Sequence, residues 1–178
     1  MVRRVLLLCS TALVLSGCAQ SLEDQAHDRL QDDLDAVHEE FLDRRARHAD
    51  TTGAEALESL DPWGDAVASR VDGDDVLLVW GIGASASETD GWFMPTTTTA
   101  SLGACVSVVV RTGEGGDDRG SVRSEAVACP EGTEILDDDG NPVDAFTTDL
   151  DGRRDDVPEP PYDPPVCMSG GDCSRGGG

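Results

Sequence analysis

The spacing of apolar residues predicts two helices near the start of the chain. From Leu22 to about Ala49, apolar side chains recur every three or four residues with acids and arginines between them, as in an amphipathic helix. The apolar set is Leu22, Ala26, Leu30, Leu34, Val37 and Phe41. Thr52 followed by Glu55 fits a capping box that opens a second, short helix ending at Leu60.

The apolar period shortens to two residues beyond this region, which predicts β-strands. Five are predicted, over residues 66–71, 76–82, 91–99, 105–112 and 121–129. The first two flank an Asp-Gly turn and form a hairpin, whereas Pro95 favours an edge position for the third. The β-branched fourth run is the strongest strand, and the fifth is its antiparallel partner.

Cys105 and Cys129 set the expected register of that last pair, because they face each other if they form a disulfide. Antiparallel pairing then leaves one face of the two strands mostly apolar. The same register places Arg111 opposite Arg123, which is unfavourable unless a carboxylate lies close.

The start of the chain has the organisation of a secretory signal. Arg3 and Arg4 precede the apolar run 5–15, which is too short to span a membrane, and the motif Leu15-Ser16-Gly17-Cys18 closes that run. The motif resembles the lipobox of bacterial lipoproteins. The resemblance implies that Cys18 receives a diacylglyceryl group and that the chain is cleaved before it. A lipid-anchored protein on the extracytoplasmic face of a cell membrane is therefore expected, with inner and outer membranes both open.

The tail from Asp149 onward is rich in Pro, Gly and charge, and we expect it to be disordered. The predicted fold class is α+β, with an N-terminal helix or helix pair packed on a four- or five-stranded antiparallel sheet and an acidic tail. The predicted segments are a signal peptide over 1–17, the lipidated N-terminus and helices over 18–60, the β segment of the same domain over 61–148, and the tail over 149–178.

The chain is strongly acidic. Its 36 Asp and Glu residues and 13 arginines give a net charge of −23, and loss of Arg3 and Arg4 with the signal leaves −25. Such a field repels nucleic acid, which is therefore not an expected partner. Divalent cations and basic surfaces stay open as partners, and the alternative is that the acids only keep a tethered protein soluble.

Four cysteines remain after cleavage of the signal and lipidation of Cys18, and an even number favours disulfides outside the cell. Three connectivities can be drawn, and proximity along the chain favours Cys105 with Cys129 and Cys167 with Cys173. The spacings lack the close Cys-x-x-Cys pairs of structural zinc sites.

Residues with catalytic or metal-binding chemistry are few. His27, His38 and His48 all fall in the first helix and are interpreted as surface residues. His27 and His38 lie about 16 Å apart along the helix axis, which is too far for both to bind one metal ion. The segment 81–85 opens like a dinucleotide-binding loop but lacks its third glycine, so it is interpreted as a flexible turn region.

Two acidic turns are weak candidates for calcium, one with Asp137 and Asp139 and the other with Asp149 and Asp151. Neither has the spacing of an EF-hand loop, and a solvated turn is the alternative interpretation.

These observations favour a membrane-anchored lipoprotein with a non-enzymatic binding domain, whose partner is an envelope protein or a small ligand. Two alternatives stay open: a hydrolase that uses carboxylates as acid and base, and a weakly calcium-binding structural spacer of the cell envelope. The hydrolase hypothesis requires Trp80, Trp92 and Phe93 to line a pocket near a carboxylate with a raised pKa. No catalytic residue is assigned.

Overall fold

The computed structural model describes residues 20–115 and 118–159, together with the backbone of 166–167 and 173–174. The elements are α1 (Leu22–Arg47), α2 (Gly53–Leu60), β1 (Ala68–Asp72), β2 (Asp75–Asp90), β3 (Thr96–Gly115), β4 (Asp118–Val127), β5 (Arg153–Asp156), β6 (Val166–Cys167) and β7 (Cys173–Ser174). Strands β1 to β5 form one antiparallel sheet in chain order, and β6 pairs with β7. Both helices pack on the five-stranded sheet, which confirms the predicted α+β class.

A capping box opens α1. The Ser21 hydroxyl accepts the Asp24 amide at 3.1 Å, and the Asp24 carboxylate accepts the Ser21 amide at 3.2 Å. At the other end the buried Arg45 guanidinium donates to three carbonyls that follow the helix, those of His48, Ala49 and Thr51. Burial lowers the pKa of Arg45, and the nearby acids Asp50 and Asp75 oppose that effect.

The core lies between α1 and one face of β2, β3 and β4, here called the inner face. Its largest buried apolar side chains are Leu30, Leu34, Phe41, Leu60, Val76, Leu78, Ile82, Val106, Val108, Val110 and Val122. Burial of each contributes about 1.5–3 kcal/mol of transfer free energy. At the edge of this layer the Trp80 ring meets Phe41 edge-on, with centroids 5.7 Å apart.

The second helix is present, but its capping box is not formed. In a capping box the Thr52 hydroxyl would accept the Glu55 amide. Here that amide donates to the Thr52 carbonyl instead, at 3.2 Å. Gly53 follows with a positive φ of 54° and donates its amide to the Asp74 carbonyl, which joins α2 to the β1–β2 turn.

The register of β3 with β4 differs by two residues from the predicted one. Cys105 lies opposite Val127, and the shift places Arg111 opposite Ser121 instead of Arg123. A shift of two leaves every side chain on its predicted face, and it removes the unfavourable pairing of two arginines. The disulfide-bonding pair is retained, because Cys129 lies just beyond the end of β4 and its sulfur is 2.09 Å from that of Cys105.

Strands β2 and β3 form one long hairpin that was not predicted. Pairing runs from Val76 opposite Val110 to Asp90 opposite Thr96, so the threonine run opens β3 and does not form a separate edge strand. The segment 81–85 was expected to be a turn and lies inside β2. Its glycines serve close approach: a Cβ at Gly83 would lie 2.5 Å from the Leu136 carbonyl oxygen.

The segment 133–147 therefore lies directly on the outer face of the sheet, the face opposite α1. Ile135 and Val143 are buried there, and Phe146 forms a bridge with Gly103 of β3. The bond between Cys105 and Cys129 joins β3 to the chain that leads into this segment.

The fifth strand comes from the segment that was expected to be disordered. Arg153–Asp156 pairs with β4, from Ser124 opposite Arg153 to Ser121 opposite Asp156. Farther along, Cys167 is the backbone partner of Cys173. Their side chains and all of Cys18 lie outside the described residues, so the second disulfide and the lipidation stay predictions.

We predict that Gly83→Ala destabilises the domain by about 1–3 kcal/mol, the usual cost of overpacking. The added methyl group meets a backbone carbonyl that cannot rotate away. Urea unfolding measures the change, with Ser87→Ala on the exposed part of the same strand as the control. Equal stability of the two variants would show that segment 133–147 does not lie this close to β2.

Candidate functional site

The three histidines have different environments. His48 follows α1 and is exposed, whereas His27 is half-buried with its Nε2 atom 2.5 Å from the Asp149 carbonyl oxygen. His38 is fully buried, so its interpretation as a surface residue is wrong. The sequence contains a signal for this: His38 lies four residues after the buried Leu34 and so shares its helical face.

His38 joins three elements through its two ring nitrogens. Nδ1 lies 3.0 Å from the Ser124 hydroxyl of β4, and Nε2 lies 3.0 Å from the Asp155 carboxylate of β5. Because a carboxylate only accepts, Nε2 carries the hydrogen of the bond to Asp155, and Nδ1 shares the second hydrogen bond with the Ser124 hydroxyl. Ser124 is fully buried, whereas the Asp155 side chain is 45% exposed.

Arg153 extends this cluster to the surface of α1. Its guanidinium lies 2.7 Å from the Glu39 carboxylate, 3.1 Å from that of Asp155 and 3.9 Å from that of Asp35. The hydrogen bond to Glu39 is the largest cause of a raised pKa for Arg153, and Asp155 adds to it. Strand β5 is thus attached to α1 by charged groups and hydrogen bonds.

Serine, imidazole and carboxylate are the three groups of a hydrolase triad, and their order along the hydrogen-bond chain is the same. The ring nitrogens are exchanged, however, with the serine on Nδ1 and the carboxylate on Nε2. The Ser124 hydroxyl also lies beneath α1, where a substrate carbon has no approach. In this conformation the cluster holds a helix on a sheet and presents no nucleophile.

The first calcium candidate uses its carboxylate on its own turn. Asp137 Oδ1 accepts the amides of Asn141 at 2.8 Å and Asp139 at 3.1 Å, and Oδ2 accepts the Ser101 hydroxyl at 3.0 Å. These bonds, that from Asn141 first, lower the pKa of Asp137 against the opposing effect of burial. Asp139 lies 3.4 Å from the Ser85 hydroxyl, so both acids attach the turn to β2 and β3.

The second candidate lies against α1. Asp151 donates its amide to the Gln31 side-chain oxygen at 2.8 Å and accepts the Gln31 amide group on its carbonyl. Asp149 donates its amide to the Thr147 hydroxyl. Within the described residues no group of three or more His, Cys, Asp or Glu side chains is arranged to hold a metal ion.

The aromatic residues that the hydrolase hypothesis needs lie in different places. Trp80 packs on Phe41, whereas Trp92 and Phe93 are exposed on the turn between β2 and β3. Asp33 of α1 does have a raised pKa, because burial disfavours its charge and because Asp138 and Asp32 repel it. The three aromatics therefore do not share a pocket.

Segment 133–147 covers only one half of the outer face of the sheet. The other half carries several arginines. Cross-strand neighbours run Arg70, Leu77, Val109, Arg123 and Arg154 from β1 to β5. Arg111 lies two residues beyond Val109 on the same face. The sequence placed Arg111 beside Arg123 as an unfavourable pair, but it gave no sign of Arg154, because the fifth strand was not expected.

Three of these arginines enclose one small cavity, here called the arginine cavity. Its volume is about 80 Å³, and its lining residues are Val109, Arg111, Ser121, Arg123 and Arg154. Such a space holds at most a few water molecules. The cavity therefore matches one small polar group.

The charges around the arginine cavity are incompletely paired. Arg123 lies 2.6 Å from the Glu125 carboxylate, and both side chains are exposed. Arg111 and Arg154 form no ion pair among residues 20–113 and 118–159, whose side chains are described. Two guanidinium groups beside one cavity without an ion-pair partner in the described part of the chain are unexpected, because the sequence has 36 acidic residues.

Comparisons with protein-family models, with curated proteins and with solved structures gave no match. Among the described residues, no helix is both long and apolar enough to cross a membrane. Functional inference therefore rests on the arginine cavity and on the sequence of the amino-terminal segment.

We predict that Ser124→Ala lowers the free energy of unfolding by about 1–3 kcal/mol, because it leaves Nδ1 of His38 buried without a partner. Adding His38→Leu recovers part of the loss, since it removes the unsatisfied group. Urea unfolding of both variants tests this, with the exposed Ser69→Ala as the control. If Ser124→Ala is as stable as the control, the His38 bond does not hold α1 on the sheet.

Proposed function

We propose that this protein is a lipid-anchored, extracytoplasmic binding domain that takes a small oxyanion, a carboxylate or phosphate group, in the arginine cavity. The anchor is the diacylglyceryl-modified Cys18. The ligand is a small molecule or an acidic side chain of an envelope protein that carries such a group. The arginine cavity, with two guanidinium groups that have no carboxylate partner among the described residues, is the observation that carries this proposal.

The sequence and the start of the fold support the anchor. The lipobox places Cys18 three residues before Ser21, whose capping box opens α1. The folded domain thus begins almost directly after the modified residue. The bonded pair of Cys105 and Cys129 fits an oxidising compartment outside the cytoplasm.

Guanidinium chemistry supports the class of ligand. Arginine presents paired N–H donors whose geometry matches carboxylate and phosphate oxygens. The buried Ser121 residue lines the same cavity and can supply a hydroxyl donor. Arg111, Arg123 and Arg154 come from three adjacent strands, so the sheet fixes the relative positions of their backbones before a ligand arrives.

The acids around the cavity support a small ligand over a polyanion. Asp156 is the cross-strand neighbour of Ser121, and Glu125 pairs with Arg123 at the rim. Asp75 and Asp72 line an adjoining cavity together with Arg111. A nucleic acid or an anionic lipid surface would meet these carboxylates, whereas one oxyanion fits among the guanidinium groups.

Binding is favoured over catalysis by the positions of the other polar groups. The Ser124 hydroxyl is buried beneath α1, and the Asp137 carboxylate is used by its own turn. Asp137 is therefore not free to bind calcium, and Ser124 is not accessible as a hydrolase nucleophile. The arginine cavity, by contrast, is lined by Arg111 and Arg154, whose guanidinium groups form no ion pair among the described side chains.

We predict that inorganic phosphate raises the melting temperature of the protein more than chloride does at equal ionic strength. Arg154→Gln weakens phosphate binding about tenfold, which corresponds to about 1.4 kcal/mol, because it removes a charge-assisted hydrogen bond. Calorimetric titrations with phosphate and with acetate measure the dissociation constant for each of the two oxyanion classes.

The matched control is Arg47→Gln, which makes the same change of charge at an exposed position on α1. An equal effect of both substitutions would assign the phosphate response to net charge and would contradict a site at the arginine cavity.

We predict that the intact mass of the protein extracted from membranes corresponds to a chain that begins at a lipidated Cys18. Reduction then adds about four hydrogens, because each of two disulfides takes up two. A mass that includes the first seventeen residues, without a lipid, would contradict the anchor. Four free thiols would contradict both predicted disulfides.

A further inference from the structure

The turn between β2 and β3 exposes three consecutive large apolar side chains. Trp92 and Phe93 are each 93% exposed, and Met94 is 86% exposed. Gly91 shapes the turn: its φ is 97°, and a Cβ there would lie 2.7 Å from the Met94 carbonyl oxygen. We call Trp92, Phe93 and Met94 the hairpin tip. An apolar group of this kind marks an interaction surface.

The arm that carries the hairpin tip projects from the domain. Residues 87–99 are all exposed, so no described part of the chain covers either face of this arm. Pairing continues through Asp90 opposite Thr96, and the hydroxyls of Thr89 and Thr97 lie 3.0 Å apart across the strands. The tip is thus held away from the core by a regular ladder.

The start of α1 lies at the base of the same arm. Glu23 and Asp24 line a cavity together with Thr99 and Ala100, and the Arg29 guanidinium donates to the Ser85 carbonyl. Thr99 is the cross-strand partner of Ser87. The amino-terminal segment therefore enters the fold beside this pair, at the end of the molecule where the arm leaves it.

The three residues that join Cys18 to Ser21 can span the same distance as the arm. From Ser87 to Asp90 the strand advances three residues, about 10 Å, before the turn begins. Cys18 precedes Ser21 by three residues, which extend to about 10 Å. An acyl chain on Cys18 and the side chains of the tip can therefore meet one bilayer surface.

We propose that the hairpin tip inserts into the bilayer to which Cys18 is anchored and thereby fixes the orientation of the domain; this inference rests on the lipid anchor of the proposed function. Tryptophan and phenylalanine suit the interface between headgroups and acyl chains. The arm has no basic residue, and Glu88 and Asp90 flank the tip. The contact is apolar and does not depend on anionic lipid.

Tryptophan fluorescence of the full-length lipidated protein in phosphatidylcholine vesicles tests the inference. One variant, Trp63→Phe, keeps Trp92 and the half-buried Trp80. Its matched control, Trp63→Phe with Trp92→Phe, keeps only Trp80, which lies about 33 Å along β2 from the end of the strand. The difference between the two isolates the signal of Trp92.

We expect vesicles to shift the Trp92 emission to shorter wavelength, brominated lipid to quench it, and aqueous acrylamide to quench it less. Protein that floats with the vesicles while Trp92 keeps its emission and its access to acrylamide overturns the insertion and leaves the anchor intact. Protein that does not float overturns the anchor and the insertion together. Shielding of Trp92 in native membranes, but not in protein-free vesicles, assigns the tip to a protein partner and also overturns the inference.

Discussion

The packing of the fold depends on the long antiparallel pairing of β2 with β3. Helix α1 packs on one face of this hairpin, and segment 133–147 packs on the other. Valine and leucine fill the inner face, where Leu78 and Val108 are cross-strand partners. On the outer face Gly83 leaves room for the Leu136 backbone, and its cross-strand partner Gly103 leaves room for the side chains of Val143 and Phe146. One hairpin thus meets two different packing demands, a side-chain layer on one face and close backbone approach on the other.

Polar contacts attach the parts of the chain that have few apolar side chains. Strand β5 is formed by Arg-Arg-Asp-Asp, and it is held by the bonds of Arg153 to Asp35 and Glu39 of α1 and by the bond of Asp155 to His38. The buried His38 takes part because both of its ring nitrogens have partners. The acids of α1 are therefore more than a solubilising surface, since Asp35 and Glu39 also receive Arg153.

Local patterns predicted the helices, the first hairpin, the bonded cysteine pair and the fold class. Local patterns predicted the wrong structure where contacts with residues distant in the sequence determine the conformation. The Gly-Ile-Gly run looks like a turn, yet it is a strand because Ile135 and Leu136 cross it. Likewise, the segment around Arg153 lacks apolar residues and looks disordered, although the acids of α1 order it. The arginine cavity could not be predicted either, since it requires the true register of three strands.

The two ends of the described fold lie far apart along the strands. The chain enters α1 beside Thr99 and leaves β5 beside Ser121, the partner of Arg111, which is twelve residues or about 40 Å away along β3. Hydrogen bonds of an antiparallel pair lie across the strands. A pull on the chain beyond β5, against a fixed start of α1, would therefore load the bonds of β4 with β5 together in shear and would not open them one at a time. The four residue pairs of β4 with β5 would consequently share such a load.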